Sequence, residues 1–230
     1  MEQDLQIVPE HMLGLGLGAL AHANWHANYY SMENRYWNEL SVLQAAHACE
    51  ILIKARIAQE HPLLIFEHLP KAPSDGGLLS LQKLVESGRT YQFADLPDRL
   101  WATTGIRMPE VQRFQAFGRF RNSIQHFSVP DGLDAAEETV GFIYGVVDPF
   151  IHQCWGLHAI DYNEDDEPYV YLIASLVRRG ILFSVSSEAA KHLDWAELDW
   201  PKNQAQYRRE MEDRFNFAKS TTVDEANSKA

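Results

Sequence analysis

Apolar positions recur at helical spacing along most of the chain, and the breaks between runs fall at proline and glycine. The longest run, residues 39–61, is apolar around much of its circumference and stops at Pro62, which predicts a helix central to the fold. A second run occupies residues 111–127. Val111, Phe114, Phe117 and Ile124 mark its apolar stripe, Pro109 and Glu110 open it, and Pro130, Asp131 and Gly132 follow its end. Residues 19–30 predict an earlier helix, with Gly14, Gly16 and Gly18 before it as a site of close packing or a break. Residues 78–87 predict a short helix with Leu78, Leu81 and Val85 on one face and Gly88 after its end. Residues 135–155 predict another, which Pro149 should kink or divide; Gly141 and Gly145, four apart, predict close approach of a neighbouring helix.

The connections are equally patterned. Residues 71–77 read as a loop, and residues 89–108 as a connector with one or two helical turns at 95–102. From Asp161 the character changes. An acidic loop at 163–167 precedes two β-rich runs, 169–177 and 181–186, on either side of Arg178-Arg179-Gly180. They predict a hairpin, although the first run can equally be drawn as a helix. Residues 188–193 follow as a short helix, 195–201 as an extended segment and 204–219 as a polar amphipathic helix. Residues 1–10 read as loosely held, and the tail from about residue 220 as disordered. The expectation is a mainly α protein, with a helical domain over 1–160 and a C-terminal extension over 161–230 packed on it.

Composition narrows this picture. A hydrophobic share of 46% and six tryptophans indicate a folded globular chain. No apolar run reaches the roughly eighteen residues of a membrane span, and the N-terminus lacks a basic segment before an apolar one, so the expected compartment is the cytoplasm. Cys49 and Cys154 are isolated, which predicts buried thiols and neither a disulfide nor a zinc site. The net charge of -12 argues against a broad nucleic-acid surface but leaves room for a local basic cleft. Arg107, Arg113, Arg119 and Arg121 are concentrated around one helix, whereas acidic residues gather at 161–167 and 194–213.

Beside the apolar stripe of residues 111–127 lie Arg119, Arg121, Asn122 and His126. At about 100° per residue, Asn122 and His126 stand one above the other, with Arg119 a turn behind and Arg121 flanking them. A fixed cation, an amide and an imidazole on one helix end suit phosphate chemistry. Arg121-Asn122-Ser123-Ile124-Gln125-His126 resembles the Arg-x4-6-His signature of the HEPN superfamily of small helical domains, in which a polar residue follows the arginine. The spacing alone is loose, since Arg56 with His61 and Arg119 with His126 also satisfy it. The asparagine, the long amphipathic helix and the helical segments before it distinguish the Arg121 match.

The resemblance covers about residues 15–160 and implies an antiparallel helical bundle. Many members are metal-independent ribonucleases of toxin or defence type, requiring no cofactor, that pair two copies so that both motifs line one cleft. It implies a catalytic trio of Arg121, Asn122 and His126 acting on RNA, with Arg119 binding substrate. His47 and Glu50, on the helix predicted to pack against the motif, could face the same site. A cationic imidazolium suits a helix C-terminus, which favours a general-acid or charge-stabilising role for His126. Other members of the superfamily are non-catalytic, so the competing expectation is a dimerising interaction module that recruits a protein or RNA partner. An enzyme of this type would also have a neutralising or activating protein partner.

Two further patterns carry less. Leu13-Gly14-Leu15-Gly16-Leu17-Gly18 lacks the spacing, the preceding strand and the downstream lysine of a phosphate loop. His22 and His26 lie one helical turn apart without a carboxylate in register, which predicts surface or interface histidines and no metal. His152 and His158 read as structural.

Overall fold

The glycines near the N-terminus do not break a helix. In the computed structural model, which describes residues 5–71, 79–165 and 167–228, α1 (Val8–Asn28) runs through Gly14, Gly16 and Gly18. Gly16 is needed there because a Cβ would stand 2.8 Å from Leu52 Cγ. Leu5 is buried just before the helix, so residues 5–10 are held, contrary to the loose segment the sequence predicts. The helix of residues 39–61 appears as α2 (Trp37–Glu60). Its Val42, Ala45, Cys49, Leu52 and Ile53 are fully buried, as its all-round apolarity requires. Gly16 opposes Leu52 and His26 packs on Trp37, so α1 and α2 form an antiparallel hairpin.

After a 3-10 turn at Pro62–Ile65, β1 (Phe66–His68) pairs antiparallel with β2 (Arg89–Thr90). The predicted loop at 71–77 falls largely outside the described residues. α3 (Leu81–Ser87) starts where Ser80 Oγ accepts the Lys83 N–H. Its buried residue is Leu84, while of the predicted face Val85 is 77% exposed, Leu81 is partly buried and Leu78 lies outside the described residues. The connector carries α4 (Leu96–Thr104), ended by Gly105 at φ 75°.

The motif helix is α5 (Val111–His126). It buries Phe114, Phe117 and Phe120, while Val111 is 40% exposed, so the stripe turns away from the predicted Val111 end. Phe117 stacks face to face on Phe142, with ring centroids 3.8 Å apart. The sequence predicts a kink or division at Pro149; the segment is helical throughout, but its α-helical bonding is interrupted, α6 (Ala135–Phe142) passing through a π-helical turn at Ile143–Val147 into α7 (Asp148–Trp155). The wider turn accommodates the proline, which has no N–H and would crowd the carbonyl four residues earlier. Gly141 and Gly145 receive no helix backbone; the Arg113 guanidinium lies over both.

The predicted hairpin is absent. Residues 169–177 belong to α8 (Pro168–Arg178), which buries Leu172, Ile173, Leu176 and Val177 as one helical stripe. A Schellman cap ends it, with Gly180 N–H donating to Val177 O, Ile181 N–H donating to Leu176 O and Gly180 at φ 67°. Residues 181–186 lie in no helix and have no strand partner among the described residues. The chain finishes with α9 (Ser187–His192) and α10 (Ala205–Ser228), the latter helical through most of the tail predicted as disordered.

One core runs from Leu20 to Ala218 and takes residues from both sides of Asp161. The Asp148 carboxylate, fully buried, accepts the N–H groups of Ala159 and Ser184 at 2.8 and 2.9 Å. Asn24 donates to the carbonyls of Ala159 and Tyr162 and accepts from the Tyr144 hydroxyl. These buried bonds tie the C-terminal segments to α1 and α7. The protein is mainly helical, and no helix among the described residues is long and apolar enough to cross a membrane.

Candidate functional site

α5 contains three arginines and no carboxylate, in a chain whose net charge is -12. Elsewhere Lys54, Arg56, Arg89, Arg179, Lys191, Arg208 and Arg214 each pair with a glutamate. Arg113, Arg119 and Arg121 have no carboxylate partner among the described residues, and neither do Arg35, Arg99, Arg107, Arg178 and Arg209; what sets Arg119 and Arg121 apart is that they lie close together on one helix. The position of α5 explains how such charge is tolerated: its phenylalanine face is buried, and Arg119 and Arg121 leave on the other side towards water.

Arg121 Nη1 donates to Asn122 Oδ1 at 3.0 Å. This bond leaves the rest of the guanidinium's fork and the asparagine NH2 available to an anion. Asn122 therefore does not cap the helix. The backbone end is closed instead by the N–H groups of Phe127 and Ser128, which both donate to Ser123 O. His126 is the last residue of α5 and is exposed, with its ring edge-on to Phe127 at 6.4 Å between centroids. The three residues thus do little for the fold.

Arg119, Arg121 and Asn122 line a cleft of about 310 Å³. Its second wall comes from the turn before α4, where Gln92 and Phe93 face Gln115 and Gly118 of α5 across the opening. Phe93 is held by parallel stacking on Phe114, with centroids 4.2 Å apart, and by Gly118, where a Cβ would stand 2.9 Å from its ring. His126 lies one turn beyond Asn122, outside the walls of this cleft. The second wall has no counterpart in the helical pattern of the sequence, which shows only a connector there. Gly118, an isolated glycine inside an amphipathic helix, is its one local trace.

Neither His47 nor Glu50 lines the cleft. His47 is exposed on α2, and Glu50 accepts from Lys54 at 2.6 Å while Lys54 also donates to Thr90 Oγ1. That triad fastens the β1–β2 ribbon to α2.

Of the pair predicted as surface or interface histidines, His22 is half exposed and His26 is not. His26 is only 5% exposed and packs on Trp37, its Nδ1 without a hydrogen-bond partner, and burial lowers its pKa. His22 hydrogen-bonds Glu164, and the Tyr29 hydroxyl donates to Asp165 at 2.6 Å, so the acidic loop docks on α1. His158 is half-buried near Asp148, Asp161 and His152, and burial lowers its pKa as well. Cys49 and Cys154 are free thiols, the first fully buried. Burial pushes the Cys154 thiol up to about 11 and Cys49 higher still. Among the described residues no group of three or more His, Cys, Asp or Glu side chains could hold a metal ion.

No family model matches the chain, and neither the curated proteins nor the solved structures contain a match to it.

Proposed function

We propose that the protein is a metal-independent endoribonuclease of the HEPN type, with its site on the C-terminal half of α5. The observation that carries this reading is the carboxylate-free helix: Arg121 is partly exposed and Asn122 and His126 are exposed, their side chains make no hydrogen bond to the rest of the fold beyond the one between Arg121 and Asn122, and two of the arginines line an open cleft. Two unpaired arginines on the lining of one cleft suit an anion, and a phosphodiester is the anion that arginine's fork and a nearby imidazole are suited to transform.

In the reaction, Arg121 holds the non-bridging phosphoryl oxygens and Asn122 fixes the guanidinium that does so. The ribose 2'-hydroxyl gives its proton to a base, and its oxygen bonds to phosphorus as the bond to the 5'-oxygen breaks. His126 protonates that leaving oxygen. The products are a 2',3'-cyclic phosphate and a 5'-hydroxyl. One chain supplies one motif histidine, so the base comes from a second copy across a two-fold axis. Phe127, 88% exposed directly after His126, offers apolar surface where such a copy would meet it.

Incubating total RNA with the protein in excess EDTA tests this. Fragments with cyclic 2',3'-phosphate ends are expected from the wild type and not from His126→Ala. Intact RNA from folded wild-type protein would overturn the nuclease reading and leave the dimerising interaction module in its place.

A further inference from the structure

We infer that the cleft between α5 and the turn before α4 is a nucleobase pocket, which selects one unpaired nucleotide of a single-stranded RNA beside the arginines. The inference rests on the ribonuclease reading of those arginines. It concerns a different part of the molecule, the wall formed by Gln92 and Phe93.

Four features point to a base. The first is chemical: three primary amides, Gln92, Gln115 and Asn122, surround the opening, and none of the lining residues is a carboxylate. Each amide presents one carbonyl acceptor and two N–H donors, the complement of the mixed donor and acceptor edges of nucleobases. A site meant only for phosphate would need cations and backbone N–H groups, and neutral glutamines would add little. The side chains of Gln92 and Gln115 have no hydrogen-bond partner in the fold among the described residues, so neither is committed to structure.

The second feature is aromatic. Phe93 lines the cleft, and its position is fixed by Phe114 on one face and by the close approach that Gly118 permits. An immobilised ring at the edge of a basic site is the platform on which single-stranded bases stack. The third is size. At about 310 Å³ the cleft lies at the lower end of the range of small-molecule sites, room for one nucleoside and not for a stack or a duplex. Paired bases in an A-form helix could not turn their edges into it, so the target is unpaired. The fourth is adjacency: Asn122 belongs to both cleft and motif, and Arg119 and Arg121 stand at the rim where the phosphate attached to that nucleoside would lie.

Isothermal titration of the wild type with the four ribonucleoside 5'-monophosphates, and with inorganic phosphate as the probe without a base, tests the pocket. At least one nucleotide should bind about tenfold or more tightly than phosphate, with the four bases differing. Gln92→Ala/Gln115→Ala should bring all four to the level of phosphate while leaving phosphate binding unchanged; both glutamines are exposed, so the fold is kept. His126→Ala should leave the base preference intact. The pocket is overturned if all four nucleotides bind as weakly as phosphate, or if the double variant keeps the preference. RNA cleavage in EDTA reads the other proposal separately. Cleavage without base-dependent binding removes the pocket and keeps the nuclease, whereas base-dependent binding without cleavage does the reverse.

Discussion

The Arg121 guanidinium spends one N–H on its own neighbour, donating from Nη1 to Asn122 Oδ1 at 3.0 Å. Consecutive residues on a helix project about 100° apart, so the bond draws the arginine round towards the face that carries His126. Asn122→Ala should therefore keep the charge and lose its aim. Single-turnover cleavage is expected to fall less for Asn122→Ala than for Arg121→Ala, and by roughly 10²- to 10⁴-fold for His126→Ala, the usual worth of a positioned general acid. Because none of the three is buried, their thermal unfolding midpoints should match the wild type, separating lost chemistry from lost fold.

Binding should be electrostatic and local. If Arg119 and Arg121 each neutralise a phosphate, log Kobs for a cleavage-blocked single-stranded RNA should fall against log[salt] with a slope near -1.4, about -0.7 for each contact. Arg119→Ala should reduce the slope by about 0.7. A slope of five or more would instead indicate a broad basic surface, which the net charge of -12 opposes.

Arg113 and Gly141 make a testable pair. A methyl at Gly141 would overlap the Arg113 guanidinium, and one at Gly145 would stand 2.8 Å from its Nη1. Because Arg113 is exposed and only the tip of its flexible side chain must swing aside, Gly141→Ala should change stability by less than about 1 kcal/mol, alanine's helix preference offsetting the displaced contact. In an Arg113→Ala background the same change should stabilise by about 0.5–1 kcal/mol, a coupling readable from denaturant midpoints of the four proteins in the cycle.

Stability should depend on pH through two histidines. Burial lowers the pKa of His26, which faces His22 and Glu164, and that of His158, which faces Asp161, Asp148 and His152. The unfolded chain then binds protons that the folded one does not, so this stability is complete above an unfolded pKa of about 6.5 and is lost as pH falls towards the folded values. Asp148 acts oppositely: burial raises its pKa, so its contribution is greatest in acid and declines as pH rises through the folded value. Denaturant titrations at pH 7 and 5 should show His26→Phe losing less stability on acidification than the wild type. Since His26 Nδ1 has no partner, phenylalanine breaks no hydrogen bond there.

The thiols give a simple check of the core. Cys49 should resist a thiol reagent until the protein unfolds, and Cys154 should react slowly, since burial suppresses the thiolate of both. Rapid labelling of two thiols in folded protein would contradict the packing of α2.

The sequence by itself determined the elements whose signals are local. Pro62 and the all-round apolarity before it bound α2, and Pro109 and Pro130 bracket α5, because proline pushes the residue before it out of the helical region and gives no N–H to a continuing turn. The order Arg121, Asn122, His126 on one helix end follows from helical geometry alone, as does their shared side of α5. Only the tertiary structure decided the rest. Tyr169 to Val177 carries residues that favour strands, yet it is helical because burying Leu172, Ile173, Leu176 and Val177 against the core outweighs a preference worth only tenths of a kcal/mol per residue. His26 is buried and not superficial because Trp37 folds back over it from the next helix. The second wall of the cleft exists because Phe93 lies on Gly118, a contact between residues 25 positions apart that no local pattern records. Periodicity reports which face of an element turns inward, and the partner that meets that face is fixed only when the chain closes on itself.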